Sequence, residues 1–311
     1  METHEGFDDT IEEPRMTEQR MKTEPPIGAS SRIETGLAGD GSLRWVAVDL
    51  GGVLEEARRR LDLSPLAAVA LGRALTAAVL VQRIALKVPS RVTVEVMGDG
   101  PLGKVIAESE SSGGVRGMVG SPQIPNPPGG EMKIAPYVGR GLLRVTREGE
   151  RNRYSSQVEL VTGELGDDLT HYLEQSEQIR SAVLLGVLPK PLGIAAAGGI
   201  VIEALPGTDS GVIDDLEGNI RQLEGISAEL ELGGALRLAQ RVLAGLEPER
   251  IDSLPVAYHC RCSRDSLLSK LQPLAESEGQ TLLNVGRACE AVCAFCGETY
   301  RFSALELGLS A

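Results

Sequence analysis

At 311 residues, 42% of them hydrophobic, the chain is long enough for one sizeable core and a small second module. Only 3% are aromatic, so the core must be built from Leu, Val, Ile and Ala. A formal net charge of −13, with no cluster of Lys and Arg, argues against a nucleic-acid partner, because phosphate contacts need concentrated positive charge. No apolar run reaches the roughly 18 residues of a membrane span. The N-terminus lacks the basic-then-apolar pattern of a signal peptide. The expected compartment is a reducing cytoplasm, where thiols stay free or bind metal.

Residues 1–31 are polar and acidic and end in the turn-prone Pro25-Pro26-Ile27-Gly28-Ala29-Ser30-Ser31, a composition that predicts a disordered tail. Ordered sequence begins near Leu43-Arg44-Trp45-Val46-Ala47-Val48, which alternates as a strand does. A charged stretch, 55–62, precedes Ser64-Pro65, which announces a helix by its cap and first-turn proline. Residues 66–86 are Ala-rich and apolar on most faces, predicting a buried helix. Strands are expected at 92–96 and 104–108, joined by Gly98-Asp99-Gly100-Pro101-Leu102-Gly103. Those glycines match a dinucleotide-loop spacing, but the residues after them alternate instead of opening a helix, so the segment reads as a hairpin turn. Further strands are expected at 141–147, 157–161, 182–188 and 199–204, with a helix at 167–178. Strands in hairpin-like groups with helices between them predict an α+β core over 32–207, not a doubly wound parallel sheet.

The character changes over 208–255. Leu216, Ile220, Leu223, Ile226 and Leu230 are spaced as on one helix face, and Leu236, Ala239, Val242, Leu243 and Leu246 continue the stripe after Gly233-Gly234. Two readings stand: a packed helical hairpin, or a labile helical linker. Either way the face must lie against something, because a lone helical pair cannot bury it.

The last segment, 256–311, holds all five cysteines; the first 259 residues contain none. Cys260-Arg261-Cys262 and Cys293-Ala294-Phe295-Cys296 form a CxC and a CxxC separated by thirty residues. Two pairs of thiolates satisfy a tetrahedral zinc ion in a closed site, although an ordinary zinc ribbon has CxxC in both halves and a shorter gap. Cys289, Cys293 and Cys296 also match the CxxxCxxC of radical S-adenosylmethionine enzymes. In that family the motif sits early in a barrel, whereas only fifteen residues follow Cys296 here. Cys289 then reads as a spare thiol and His259 as a neighbour, with replacement of a ligand in a partly disassembled site as the alternative. His4, His171 and His259 are scattered, so no nucleophile–base pair emerges, and there is no P-loop to argue for ATP use.

At these residues the chain resembles the heat-shock protein 33 family of redox-regulated holdase chaperones. The CxC and CxxC with that gap carry the resemblance. Ser64-Pro65 with Ala70-Leu71-Gly72-Arg73 looks like the family's core helix. The segment from Gly98 to Gly103 and Val115-Arg116-Gly117 look like its core-strand turns, and Cys296-Gly297 with Tyr300-Arg301-Phe302 is similar to its C-terminal ending. The resemblance implies an α+β core domain, a metastable helical linker and a small C-terminal zinc-binding redox domain. It also implies one Zn2+ on Cys260, Cys262, Cys293 and Cys296, unfolded client proteins held without ATP, and a homodimer on oxidative activation. Three features depart from the pattern: the acidic tail, the additional Cys289, and Asp265-Ser266 where a more charged pair is expected.

The resemblance gives the spacing a purpose. Structural zinc in small peptides contributes about 10–16 kcal/mol of folding energy. Oxidation is expected to form Cys260–Cys262 and Cys293–Cys296 disulfides, both local. The module would exchange one long-range tie for two short ones, unfold, and leave the Leu216–Leu246 stripe without its neighbour. Two other classes compete. A thiol–disulfide oxidoreductase would carry its CxxC at a helix start in a thioredoxin-like pattern, and a constitutive binding module would keep an inert zinc ribbon.

Overall fold

A helix that is apolar on every face has to be enclosed on every face, and the architecture is built around one such helix. The computed structural model describes residues 31–85, 90–129, 132–278 and 288–309. The predicted acidic tail therefore lies outside the described residues, apart from Ser31. Helix α2 (Pro65–Ile84) starts where the sequence predicts: Ser64 Oγ accepts the Ala67 amide, and Pro65 occupies the first turn. It is also long and apolar enough to cross a membrane, but 89% of that stretch is buried inside the protein.

Two sheets enclose it. The five-stranded sheet has the order β10 (Glu249–Pro255), β1 (Arg32–Ala38), β2 (Leu43–Asp49), β9 (Gly193–Ala204), β8 (Ser181–Lys190), and every pair in it is antiparallel. The six-stranded sheet runs β11 (Ala257–Tyr258), β5 (Gly114–Val119), β4 (Val105–Glu110), β3 (Arg91–Gly98), β6 (Gly141–Glu148), β7 (Arg153–Glu159). Only the β11–β5 pair is parallel. Helix α2 packs on β3, β4 and β5 to one side and on β2, β8 and β9 to the other. Helices α1 (Gly51–Leu61) and α4 (Leu165–Glu177) share its layer, and the four-residue α3 (Ala135–Val138) lies against β3. This mixed α+β arrangement agrees with the class expected from the sequence.

Leu75 lies in the middle of the enclosed helix with no exposed surface. Leu75→Ala should cost about 2–5 kcal/mol through lost transfer energy and the cavity left between the sheets. Urea denaturation would show this as a lower midpoint at an unchanged slope. A loss below half a kilocalorie would mean that the sheets close over the gap.

The five-stranded sheet is buried on both faces. Val46, Val48 and Val201 point to the α2 side, whereas Leu43, Trp45, Ala47, Ile200 and Ile202 point away from it. The outer face is covered by α5 (Ser210–Arg221) and α6 (Ile226–Val242), which bring Leu216, Leu230, Leu238 and Val242 onto it. Helix α6 is broken at Gly233 and Gly234, and Gly234 has a left-handed φ of 70°. A Cβ there would press on the Asp49 carboxylate, 2.9 Å away.

Several local expectations shift. Residues 55–62, read as merely charged, belong mostly to α1, where Glu55 pairs with Arg58 and Glu56 with Arg59 and Arg60 one turn on. Strand β7 ends at Glu159, so it starts and stops earlier than the expected 157–161. Val115-Arg116-Gly117, likened to a turn, lies inside β5. A Cβ at Gly117 would come within 2.6 Å of Leu71, so this residue lets the strand approach α2 closely.

Candidate metal centre

The CxC is delivered by an edge strand. After β10 pairs with β1, the chain crosses to the other sheet, where β11 adds to β5 and the His259 amide donates to the Val115 carbonyl at 2.8 Å. One segment thus stitches both sheets together and releases Cys260 and Cys262 just beyond the second. The CxxC lies at the tip of a hairpin made by β12 (Ala288–Val292) and β13 (Thr299–Ser303). The Cys293 carbonyl accepts the amides of Cys296 and Gly297 at 3.2 and 2.8 Å, closing a tight knuckle. Gly297 takes a φ of 70°, and a Cβ on it would collide with the Arg60 carbonyl at the end of α1.

These two turns bring four thiols together. The Sγ atoms of Cys260, Cys262, Cys293 and Cys296 all lie within 4.8 Å of one another. Cys260 and Cys293 are 3.7 Å apart, and Cys262 and Cys296 are 3.4 Å apart. Sulfurs about 2.3 Å from a tetrahedral metal would be separated by about 3.8 Å. An all-thiolate, four-donor set is soft and closed, which suits zinc as a structural ion. The donors therefore fit the metal that the sequence leads one to expect.

Core side chains complete the surroundings. Arg116 donates to Cys260 Sγ at 3.8 Å and lies over the Phe295 ring, 4.2 Å from its centroid. Tyr258 hydrogen-bonds the Phe295 carbonyl, with Arg60 over its ring at 5.5 Å. Tyr300 Oη sits 3.2 Å from Cys262 Sγ. Four thiolates around a divalent cation carry a net negative charge, and Arg116 and Arg60 lie where they offset it. Burial pushes the Cys260 thiol up, but the Cys262 amide, the neighbouring thiols and Arg116 outweigh it and bring the pKa down to about 7. Burial raises Cys293 and Cys296. Glu108 is also desolvated, yet Arg116 and Arg261 hold its carboxyl below the usual range.

A sequence model of the Hsp33 protein family matches residues 31–303. The chain belongs to the Hsp33 family. It is 42% identical over 290 residues to a 33 kDa chaperonin of Thermus thermophilus, covering 89% of this chain and 85% of that one. The 33 kDa chaperonin of Desulforamulus reducens is 39% identical over 276 residues, covering 87% and 94%. Among solved structures, the Hsp33 homolog from Thermotoga maritima superposes with a TM-score of 0.82 at 33% identity, covering 90% of this chain and 97% of the other.

Within this Hsp33 chain the structure gathers the four matched cysteines and leaves two of their neighbours out. Cys289 is buried in the small module's own core with Ala275, Phe302 and Leu307. The His259 ring faces Glu110 at 3.3 Å. Sequence reasoning gave no site role to Arg116, Arg60 or Glu108, although Arg116 stands in the Val115-Arg116-Gly117 segment that shares in the resemblance. They lie more than 140 residues before the thiols they surround, and nothing near them in sequence points to the cysteines.

Proposed function

We propose that this chain is an ATP-independent holdase chaperone activated by oxidation, with Cys260, Cys262, Cys293 and Cys296 holding one Zn2+ in the reduced, inactive form. The observation that carries the reading is the convergence of the CxC and CxxC thiols within 4.8 Å. Membership of a family whose relatives are named 33 kDa chaperonins supports the chaperone activity. Bound there, zinc would keep the sulfurs as thiolates and cross-link two segments thirty residues apart in sequence.

In this reading the chain divides into an acidic tail (1–31), an α+β core (32–207), a helical linker (208–255) and a redox module (256–311), with the end of the linker, β10, and the start of the module, β11, lent to the two core sheets as edge strands. Oxidation joins Cys260 to Cys262 and Cys293 to Cys296. Each pair of thiolates gives two electrons to hydrogen peroxide, which takes up two protons and leaves as two waters while one S–S bond forms. Both bonds are local, so neither holds β11 to the β12–β13 hairpin. The module loosens. Among the described residues the stripe packs on the core sheet and not, as the sequence suggested, on the module, so release of α5 and α6 would be passed on through β10 and β11, which join them to it. Release of α5 and α6 would uncover Trp45, Ile200 and Ile202 on the sheet and Leu216 and Leu238 on the helices, an apolar surface for unfolded clients. The net charge of −13 would keep such complexes soluble and turn away nucleic acid. The same reading includes a homodimer of the oxidised form, a cytoplasmic location, no membrane partner and no catalytic turnover.

Zinc content and suppression of client aggregation, measured before and after peroxide without ATP, test it. One zinc per reduced chain should be released as suppression appears, and peptide mapping should find the two local disulfides. Zinc retained throughout, or suppression indifferent to oxidant, would leave a constitutive binding module. Reduction of insulin by the chain would point to a thiol–disulfide oxidoreductase instead.

A further inference from the structure

Arg116 projects from the core sheet and meets three groups at once. Its guanidinium donates to the Glu108 carboxylate at 2.8 Å and to Cys260 Sγ at 3.8 Å, and it lies 4.2 Å from the Phe295 ring centroid. Cys260 belongs to the CxC and Phe295 to the CxxC, so a single core side chain touches both halves of the metal centre. The Arg116 and Glu108 side chains are only 15% and 13% exposed, which leaves little water to compete for these contacts. Arginine suits the position because its planar fork can donate in two directions while its face stacks on an aromatic ring.

We propose that Arg116 is a positioning residue of the metal centre, holding the CxC and CxxC turns against the core sheet and setting how readily the site releases its metal. The inference rests on the four-cysteine site proposed above and adds a core residue to it. A donor aimed at a ligand sulfur orients the ligand and withdraws charge from it. While Cys260 is a metal-bound thiolate, the N–H···S contact is charge-assisted. Once that sulfur enters a disulfide it is neutral and accepts only weakly, so Arg116 keeps Glu108 and loses its hold on the CxC. The two electrons leave the thiolate pair for peroxide as written above, and the guanidinium neither gains nor loses a proton. Oxidation at the cysteines is thereby felt directly by the core sheet.

Cobalt(II) loaded into the reduced full-length chain reports on the sulfurs through its thiolate charge-transfer band. Arg116→Gln should move that band to longer wavelength, because a sulfur without its donor is more electron-rich. Metal affinity in chelator competition should fall about 10–100-fold, the usual effect of removing an outer-shell partner. Arg116→Lys, which restores charge without the fork or the stacking, should fall between the two. Arg116→Gln also leaves the buried Glu108 carboxylate to Arg261 alone, so some fall of its core melting transition is expected, whereas Arg116→Lys keeps a charge beside Glu108 and should leave that transition where it is, separating positioning from general destabilisation. A band and an affinity unmoved by Arg116→Gln would overturn the inference while leaving the metal site intact. Absence of the band from the unsubstituted chain would instead overturn the metal site and this inference with it. Should Arg116→Gln be insoluble, an unmoved band and affinity in Arg116→Lys would overturn the inference.

Discussion

Stripping the metal from the reduced chain with a chelator, with no oxidant present, is expected to unfold residues 260–278 and 288–309 and leave the two-sheet core folded. The argument is one of size. Among the described residues, the small module's own core is Ala275, Cys289, Phe302 and Leu307 with a few half-buried neighbours. Its sheet is a single hairpin, which is marginal alone in water, and α7 (Arg264–Glu278) carries Pro273 in its interior. A unit this small is ordinarily folded by a metal or a disulfide. Binding energies of about 10–16 kcal/mol for structural zinc exceed anything such a core could supply. The core around α2 is assembled without any residue of 260–309, so its own packing should survive loss of the metal. Hydrogen exchange should therefore show the module's amides falling to unfolded-chain rates while those of α2, β3 and β9 keep their protection. Retained protection in the chelated module would mean that its packing, not the metal, holds it together, and the proposed switch would lose its mechanism.

The parts of this fold legible in the sequence are those whose signal is local. Helix α2 announces itself by Ser64, Pro65 and an unbroken apolar run, and β3 by strict alternation over Arg91–Gly98. Strand β10 escapes a sequence reading because its pairing is not local. Ile33 sits opposite Leu254, and nothing near either residue records the partner. Strand β1 forms a hairpin with β2 and is missed for another reason: Glu34 and Gly36 are buried in it while Leu37 is only half-buried, so its apolar residues do not mark the buried face. The candidate site divides in the same way. Cysteine spacing locates the four thiols, whereas the core residues around them are brought in by β4, β5 and α1 and can be known only once the fold is.

The apolar stripe over α5 and α6 shows how a break in a helix defeats a periodic reading. Counting from Leu216 by threes and fours places Leu236 on the buried face, yet it is 36% exposed. The non-helical Gly233 and Gly234 reset the phase, so Ala235, Leu238, Ala239 and Val242 face the sheet instead. Leu232, on the other side of the break, is 69% exposed. The second half of α6 is therefore seated by its own short row of residues, independently of the first.

That independence makes the linker's seating open to a single substitution, and Leu238→Ala is expected to produce a chaperone that no longer needs oxidant. Leu238 has no exposed surface and lies among Ala47, Ile200 and Val242 on the outer face of the sheet. Truncating it should cost about 2–5 kcal/mol. The cost falls on the docking of α5 and α6, because the core around α2 packs on the opposite face and shares none of these contacts. Two helices covering one face of a sheet can lift without unfolding it, a local opening of the kind that exchange experiments resolve. In the reduced, metal-loaded variant, amide exchange should rise over 210–246 while residues 257–278 keep their protection, and client aggregation should be suppressed before any peroxide is added. If those helices exchange freely and suppression still waits for oxidant, the client-binding surface is not the one beneath them. The surface would then have to be sought in the module that oxidation is proposed to unfold.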